Sequence, residues 1–483
     1  MKKINHIVIV SLFIAALFSS CNNMLDIKPS DPSTILEEKA LKTGSDLQGL
    51  LNASYQSLQD VYGGAFQRYS DLMADETYPL QPTSDKRLNI YKRYTTGYFT
   101  ANEPYSNAYV SILRANLVIE NVDKVSGLTD AQKKQMVGEA KFIRALCHYA
   151  VVRMFAQPYG YTANNTHLGI GLKTTSKPSI IPRSTVADVY KQILADLNDA
   201  EGVLPTTNSN GAYATKWAAK GLLADVYFQM HDYENAYTKA NDVITNGGFQ
   251  FDANVESRFI MKQTTFTYGS VSLTVDPSKE TIFQLVSTNT TSQNTNAGSN
   301  FGDYRCDGTN IPQIRIDKNF YTQNAAAIAV DKRARAWYQT FNSGLTNEYI
   351  GLAKFNFNNM NVPLIHLTEL KLIRAEAAAL KATKDLATAI ADINDIRMRA
   401  YSNDEIYKIP ANATAEDILT VVRAEKRLEL VGEGYRVYDL KRRGSGGESE
   451  LMIRGVKWNY PGLALQFPIN EINEVFLPNE EPF

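Results

Sequence analysis

The chain has 483 residues and is nearly neutral, with 50 Lys and Arg against 51 Asp and Glu and a formal net charge of −1 at pH 7. This balance gives no electrostatic reason to expect nucleic-acid binding, which favours a basic face. Three cysteines in 483 residues cannot form a disulfide framework. After residue 20 no segment approaches 18 continuous apolar residues, so we expect the rest of the chain to be soluble.

The first 20 residues have the layout of a secretory signal. Two lysines near the start are followed by an apolar stretch from Ile7 to Phe18, and two serines then lead into Cys21. As a helix the apolar stretch spans roughly 18 Å at 1.5 Å per residue. A bilayer crossing needs roughly 20 residues. We therefore predict that residues 1–20 are a removable signal peptide.

Cys21 is predicted to be the lipid-bearing first residue of the mature protein. The preceding residues from Leu17 resemble a bacterial lipobox, although Phe18 stands where a Leu, Val or Ile is usual. The alternative is an ordinary signal that happens to end at a cysteine. A cysteine with two or three acyl chains would bind a membrane stably, because each buried methylene adds about 0.8 kcal/mol. Residues 21–35 are then a lipidated tether, and residues 36–483 a single domain.

Helical periodicity dominates the predicted domain. Six apolar residues recur at steps of three and four and define one face of a helix: Met136, Ala140, Ile143, Cys147, Ala150 and Met154. We expect Cys147 to be a buried free thiol on this face, although a disulfide with Cys306 is possible. A second helix begins after Thr185, whose hydroxyl is expected to cap it with Asp188 three residues later.

Two later segments follow the spacing of tetratricopeptide helical pairs. The first contains Leu223, Ala224, Tyr227, Asp232, Tyr233, Ala236 and Ala240. A looser copy contains Ala377, Leu380, Asp385, Ala389 and Ile393. Generic helical hairpins are the alternative interpretation. Such pairs cannot bury their faces alone and should stack. The predicted fold is mainly α, a tetratricopeptide-like helical-pair scaffold with large irregular loop-rich regions and a few short strands.

The loop-rich regions are predicted near residues 60–105 and 250–345, where binding sites often lie. Aromatic rings beside Asn and Asp suit sugars, since sugar C–H faces stack on rings while hydroxyls need polar partners. The same surface would suit an extended peptide, and half-buried packing is the alternative for any one ring. The candidate ligand contacts are Tyr78, Tyr94, Tyr98, Phe99 and Tyr304.

Catalytic and metal-binding signatures are weak. Four histidines follow the signal, none at metal-ligand spacing from another, and His148 is expected on a helix flank. Asp303 and Asp307 could help to hold calcium, but a solvated loop is the simpler interpretation. We therefore predict no catalytic residue, no metal and no cofactor.

A charged segment near the C-terminus is a separate candidate. Glu425, Glu429 and Glu433 lie four residues apart and are predicted to share one helical face. Like charges at this spacing repel, so nearby cations are expected among them. The available cations are Arg423, Lys426, Arg427 and Arg436. We interpret the segment as an ion-paired structural helix rather than a catalytic one.

Seven short motifs, taken in order, resemble the SusD/RagB family of surface lipoproteins in Bacteroidetes. They are Leu25–Pro29, Tyr109–Asn116, Gly138–Ala145, Arg423–Leu430, Gly432–Arg436, Asp439–Arg442 and Phe467–Ile469. The resemblance implies a lipid-anchored protein on the outer membrane, facing the medium. It also implies a TonB-dependent SusC-like transporter as partner, and a glycan or peptide ligand bound through the irregular regions. Three tryptophans are few beside the best-known starch binder of the family, which argues against a starch-like ligand.

The leading hypothesis is therefore a non-enzymatic nutrient-capture lipoprotein that binds an oligosaccharide and delivers it to the transporter. The same architecture binding peptides is the first alternative. A surface glycosidase with a dispersed carboxylate pair and a purely structural assembly role are the weaker ones.

The predicted lipid anchor at Cys21 is tested by the substitution Cys21→Ala. Because the lipid would be the membrane attachment, the variant is expected to appear in the soluble fraction while the wild-type protein sediments with membranes. The measurement is fractionation followed by immunoblotting, with Ser30→Ala in the tether as the matched control. A Cys21→Ala protein that still sediments with membranes would contradict the lipid anchor.

Overall fold

The computed structural model describes residues 41–80, 86–93, 102–290, 293–295, 297–308, 310–325, 330–401 and 405–480. The predicted signal, Cys21 and the tether lie outside these residues, as do Tyr94, Tyr98 and Phe99. The helices are α1 (Gly44–Tyr62), α2 (Ala65–Met73), α3 (Lys86–Lys92), α4 (Asn102–Asn121), α5 (Asp130–Phe155), α6 (Val186–Val203), α7 (Lys216–Gln229), α8 (Tyr233–Asn246), α9 (Lys318–Phe320), α10 (Lys332–Trp337), α11 (Leu367–Leu380), α12 (Leu386–Ala400), α13 (Ala415–Glu429) and α14 (Arg436–Ser445).

The strands are short. They are β1 (Thr77–Pro79), β2 (Leu168–Gly171), β3 (Arg183–Thr185), β4 (Thr264–Tyr268), β5 (Val271–Val275), β6 (Thr281–Leu285), β7 (Thr288–Thr290), β8 (Gln293–Thr295), β9 (Ile314–Ile316), β10 (Tyr338–Phe341), β11 (Tyr349–Leu352), β12 (Val362–His366), β13 (Met452–Ile453) and β14 (Val456–Lys457). Four of them form an antiparallel sheet in the order β1-β9-β11-β10, and the others described here pair in twos. The mainly α fold with a few short strands is confirmed.

The long helix α5 forms the centre of the first half of the chain and packs between α4 and α6. It begins at a capping box in which the Thr129 side chain accepts a hydrogen bond from the backbone N–H of Gln132. All six apolar residues predicted for its inner face are buried, and Cys147 is a free thiol. Thr185 caps α6 as predicted, accepting from the N–H of Asp188.

Two helical pairs form the second half of the scaffold, where the repeats were predicted. In the first pair, α7 and α8, Asp232 caps α8 by accepting from the N–H of Asn235. In the second, α11 and α12, Asp385 plays the same part. Helix α8 packs on α11, and the Tyr237 hydroxyl donates to the Asp385 carboxylate at 2.7 Å. The caps and the stacking of the pairs agree with the repeat interpretation.

Two local features differ from the sequence analysis. The described part of residues 60–105 is mostly helical, because it includes the end of α1 and the whole of α2 and α3. Every residue of α2 is buried, its polar ones among them, so the helix shows no polar face that would reveal its period. His148 is completely buried rather than on a flank, and burial, with nearby Arg144, lowers its pKa to about 3.

A buried ion network joins the scaffold to the irregular region. Glu429 lies at the end of α13. Its carboxylate forms ion pairs with Arg258 at 3.1 Å, Arg333 at 3.0 Å and Arg399 at 2.8 Å. Burial alone would raise the pKa of Glu429, but the three guanidinium groups lower it to about 2. Glu425 pairs with Arg333 at 2.9 Å. The acids of the segment are therefore structural, as expected.

The partners of these acids differ from the prediction. Helix α13 ends at Glu429, so Glu433 lies in the following turn, where Gly432 and Gly434 adopt φ values of 78° and 79° that favour glycine. Glu433 pairs with Lys354 at 2.5 Å and Arg258 at 2.8 Å. The cations near these acids in the sequence form ion pairs with other acids. Arg423 and Lys426 pair with Glu376, Arg427 pairs with Glu76, and Arg436 pairs with Asp75.

Glu429→Gln should lower the free energy of unfolding by about 3–5 kcal/mol, because it leaves buried guanidinium groups without their shared counter-charge. Denaturant unfolding followed by circular dichroism measures the change. The exposed Glu416, on the same helix, supplies the matched control Glu416→Gln, for which we expect less than about 0.5 kcal/mol. Since the pKa of Glu429 is lowered in the folded protein, its stabilisation is present above about pH 4.5 and is lost as the pH falls towards 2. Equal stabilities for the two variants would refute the structural role of the network.

Candidate functional site

The four-stranded sheet has a buried face and a partly exposed face. Ile314 and Ile316 on β9 and Ile350 and Leu352 on β11 point into the core. Because side chains alternate along a strand, the residues between them lie on the opposite face. That outer face is the candidate binding surface.

Four half-buried side chains share the outer face. Tyr78 on β1 lies directly opposite Arg315 on β9, and Phe341 on β10 lies directly opposite Tyr349 on β11. The Arg315 guanidinium carbon lies 3.8 Å from the Tyr349 ring centroid. The rings of Tyr349 and Phe341 stack with centroids 4.9 Å apart and an angle of 13° between their planes. We call Tyr78, Arg315, Tyr349 and Phe341 the aromatic row; it crosses four strands, roughly 14 Å at about 4.8 Å per strand.

Gly351 allows this packing. It lies on β11 two residues from Tyr349, and a Cβ atom there would lie 2.7 Å from the Cys306 Sγ and 3.2 Å from the Phe341 ring. Any larger residue would therefore displace one of these groups. Cys306 is a buried free thiol.

Buried polar contacts beneath the row connect the sheet to the helices. The Tyr304 hydroxyl donates to the Asp71 carboxylate at 2.6 Å, and the N–H of Gly434 donates to the other oxygen at 3.0 Å. Burial raises the pKa of Asp71 to about 8 in spite of the hydrogen bond from Tyr304. Lys354, just after β11, pairs with Glu433 in the same turn as Gly434. The row is thus held by the same elements as the ion network.

Of the residues predicted to contact ligand, Tyr78 lies in the row. Tyr304 is completely buried, so a ligand on the surface cannot reach its ring in this conformation. Tyr94, Tyr98 and Phe99 lie outside the described residues. The sequence analysis missed Arg315, Phe341 and Tyr349. Aromatic and β-branched residues in Tyr338–Phe341 and Tyr349–Leu352, on either side of a turn containing Gly344, are typical of two paired strands and were the available signal.

A concave site lies elsewhere, between α4 and the C-terminal segment. Its volume is about 360 Å³, and its lining includes Tyr109, Ile180, Glu471 and Phe476. The Tyr109 hydroxyl donates to the backbone carbonyl of Gly171 at 2.6 Å, and Phe476 is buried. These rings are engaged in packing, so this cavity offers less free aromatic surface than the row.

The other candidate chemical groups are also engaged. Asp303 pairs with Arg68 and Arg87, both at 2.7 Å, which leaves it poorly suited to calcium. His366 caps α11, accepting from the N–H of Glu369. Within the described ranges no three His, Cys, Asp or Glu side chains are grouped as a metal site would require. In the same part of the chain, no helix is both long and apolar enough to span a bilayer.

Family models match almost the whole chain. Residues 25–228 match a family described as "Starch-binding associating with outer membrane", and residues 226–460 match the SusD family. The order of motifs, the stacked helical pairs and these two matches agree. The chain belongs to the SusD/RagB family.

Individual relatives share most of their length with the chain. SusD-like protein P38 of Formosa agariphila is 24% identical over 94% of this chain and 95% of its own. A crystal structure of a SusD superfamily protein from Bacteroides thetaiotaomicron superposes with a TM-score of 0.77 at 24% identity, covering 91% of this chain and all of the other. A laminarin-binding SusD-like protein has a TM-score of 0.66 at 19% identity over 91% and 99% of the two chains.

Tyr304→Phe tests whether Tyr304 is structural. The change keeps the ring but removes the donor to buried Asp71, so the free energy of unfolding should fall by about 1–3 kcal/mol. Tyr349→Phe is the matched control, because the Tyr349 hydroxyl makes no hydrogen bond with a described residue, and its stability should be unchanged. Denaturant titration of both variants gives the comparison. Equal stability of Tyr304→Phe and wild type would contradict the contact.

Proposed function

We propose that this protein is a cell-surface nutrient-capture lipoprotein that binds an oligosaccharide at the aromatic row and delivers it to a TonB-dependent SusC-like transporter. The arrangement of the row carries the proposal. It places rings from three strands beside a guanidinium group that can donate hydrogen bonds in its own plane, and the Tyr349 ring lies between Arg315 and Phe341. Rings take the apolar C–H faces of sugars, and donors take their hydroxyl oxygens.

The family supports this proposal at a coarser level. Its description names starch binding and association with the outer membrane, and one structural neighbour is described as laminarin-binding. Lipid attachment at Cys21 would supply the outer-membrane location, and the transporter partner is inferred from the family. A capture protein should bind modestly so that cargo can pass on, and micromolar affinity corresponds to about −8 kcal/mol.

The proposed role is binding without catalysis. Glycosidases need one carboxylic acid that can donate a proton, with a raised pKa. Glu429 and Glu433 are buried among cations that lower their pKa values, so neither can hold a proton near neutral pH. Glu425 is buried against Arg333 and Arg397. Glu429 and Glu433 therefore make poor general acids, and the Glu425 carboxylate is engaged in structural ion pairs.

A peptide ligand is the second candidate, favoured by the position of β10. This strand is at the edge of the four-stranded sheet, and Gln339 and Thr340 on it are exposed. An edge strand can accept an extended peptide as a further strand. Such a peptide would lie beside Phe341, so the two ligand classes would compete for neighbouring surface.

Replacement of the stacked rings tests the site. Phe341→Ala and Tyr349→Ala should each weaken binding of the captured oligosaccharide by about tenfold or more, since a stacked ring contributes about 1–3 kcal/mol. Ligands are first found by screening glycan and peptide arrays, and Kd is then measured by isothermal titration calorimetry. The matched control is Phe266→Ala, which removes an equally half-buried ring from the separate β4–β5 hairpin, where it stacks on Tyr268.

A further variant separates the row from the cavity near α4. Ile180 is 75% exposed and borders that cavity, so Ile180→Ser should leave affinity unchanged if the row is the site. Loss of affinity in Ile180→Ser with none in Phe341→Ala would move the site to the cavity. Binding only to peptides would favour the peptide ligand. No binding to any glycan or peptide would contradict both candidate functions.

A further inference from the structure

Arg315 differs from Arg68, Arg87 and Arg305 because it pairs with no acid that the structure describes. Arg68 and Arg87 share Asp303 at 2.7 Å, and Arg305 pairs with Asp307 at 2.5 Å. Arg315 makes no ion pair or side-chain hydrogen bond with any residue that the structure describes, and its Nε is buried without a hydrogen-bond partner. Its contact is the ring of Tyr349. Among the described residues, no carboxylate is therefore paired with the guanidinium charge of the aromatic row.

The acids closest to it along the sheet are already used. Asp317 directly follows β9, two residues after Arg315. It caps α9 by accepting a hydrogen bond from the N–H of Phe320 at 2.9 Å. Glu348, next to Tyr349, pairs with Lys318 at 2.6 Å and accepts from the N–H of Gly344 at 2.8 Å. Neither forms an ion pair with Arg315, so the neighbouring part of the sheet leaves its charge available to a ligand.

The stacking also holds the guanidinium in a fixed position. A guanidinium lying on a ring loses little freedom when it binds and keeps its N–H groups in the plane, where they match the two oxygens of a carboxylate or sulfate. A neutral sugar hydroxyl has one oxygen and can accept from only some of these N–H groups. Burial of one nitrogen strengthens the attraction, because the local dielectric constant is lower than that of water.

From this geometry we infer that the aromatic row is selective for acidic oligosaccharides, whose carboxylate or sulfate group binds Arg315 while a neighbouring sugar ring packs on Phe341 or Tyr78. This inference rests on the proposed function and adds the ligand class. A glycan is favoured over an acidic peptide because the charged group is flanked by aromatic rings on both sides along the row.

The test compares three matched ligand sets: oligogalacturonates, the same oligomers with carboxyl groups reduced to alcohols, and sulfated galactose oligomers. Wild-type protein should bind at least one acidic set about tenfold more tightly than the neutral set, the effect of one charge-assisted hydrogen-bonded pair. Arg315→Gln should remove this preference, so that the variant binds acidic and neutral oligomers with equal affinity. Arg335→Gln is the matched control, because Arg335 also lies over a tyrosine ring, 4.7 Å from the centroid of Tyr268, but outside the row.

Each outcome decides a different point. A preference for uronates or for sulfates identifies the anion. If this preference weakens as the salt concentration is raised, the interaction with Arg315 is electrostatic. Equal binding of acidic and neutral oligomers would overturn the inference and leave the proposed function in place. Tight binding of oligoglutamate in place of every sugar would overturn it in favour of a peptide. Failure of all oligosaccharides and peptides to bind would refute the proposed function itself.

Discussion

The buried carboxylate of Glu429 and its three guanidinium partners constrain the rest of the structure. Arg258 lies in a short turn, Arg333 on α10 and Arg399 on α12, so one carboxylate brings together elements from distant parts of the chain. An ion in the protein interior without its partners costs several kcal/mol. Arrangements that separate these elements are therefore strongly disfavoured, and the sheet has a defined position against the helical pairs.

The aromatic row depends on this constraint. Strand β10 follows directly from α10, which carries Arg333, and β11 is followed by the turn that carries Lys354. Both strands of the Phe341–Tyr349 pair are thus attached to the ion network within a few residues. Rings that are fixed before a ligand arrives lose little conformational entropy on binding. The ion network therefore joins the helical scaffold to the aromatic row.

Charge pairing also distinguishes the structural cations from Arg315. Lys354, Arg333 and Arg442 are almost fully buried and lie against carboxylates. Arg315 is half-exposed, lies on the ring of Tyr349, and forms no ion pair with a described carboxylate. A guanidinium that stacks on a ring of the row and pairs with no described carboxylate is the observation behind the proposed anionic ligand.

The sequence by itself determined features that depend on neighbours within a few residues. The inner face of α5, the cap at Thr185 and the two helical pairs follow from the spacing of residues along the sequence. The same local reasoning failed for α2, whose polar residues are buried by tertiary contacts. Tertiary structure alone decided that Glu429 pairs with Arg333 rather than with nearby Arg427, and that Tyr78 lies beside Arg315. Residues this far apart in the chain meet only through strand pairing and burial, and a local pattern does not show which segments will pair.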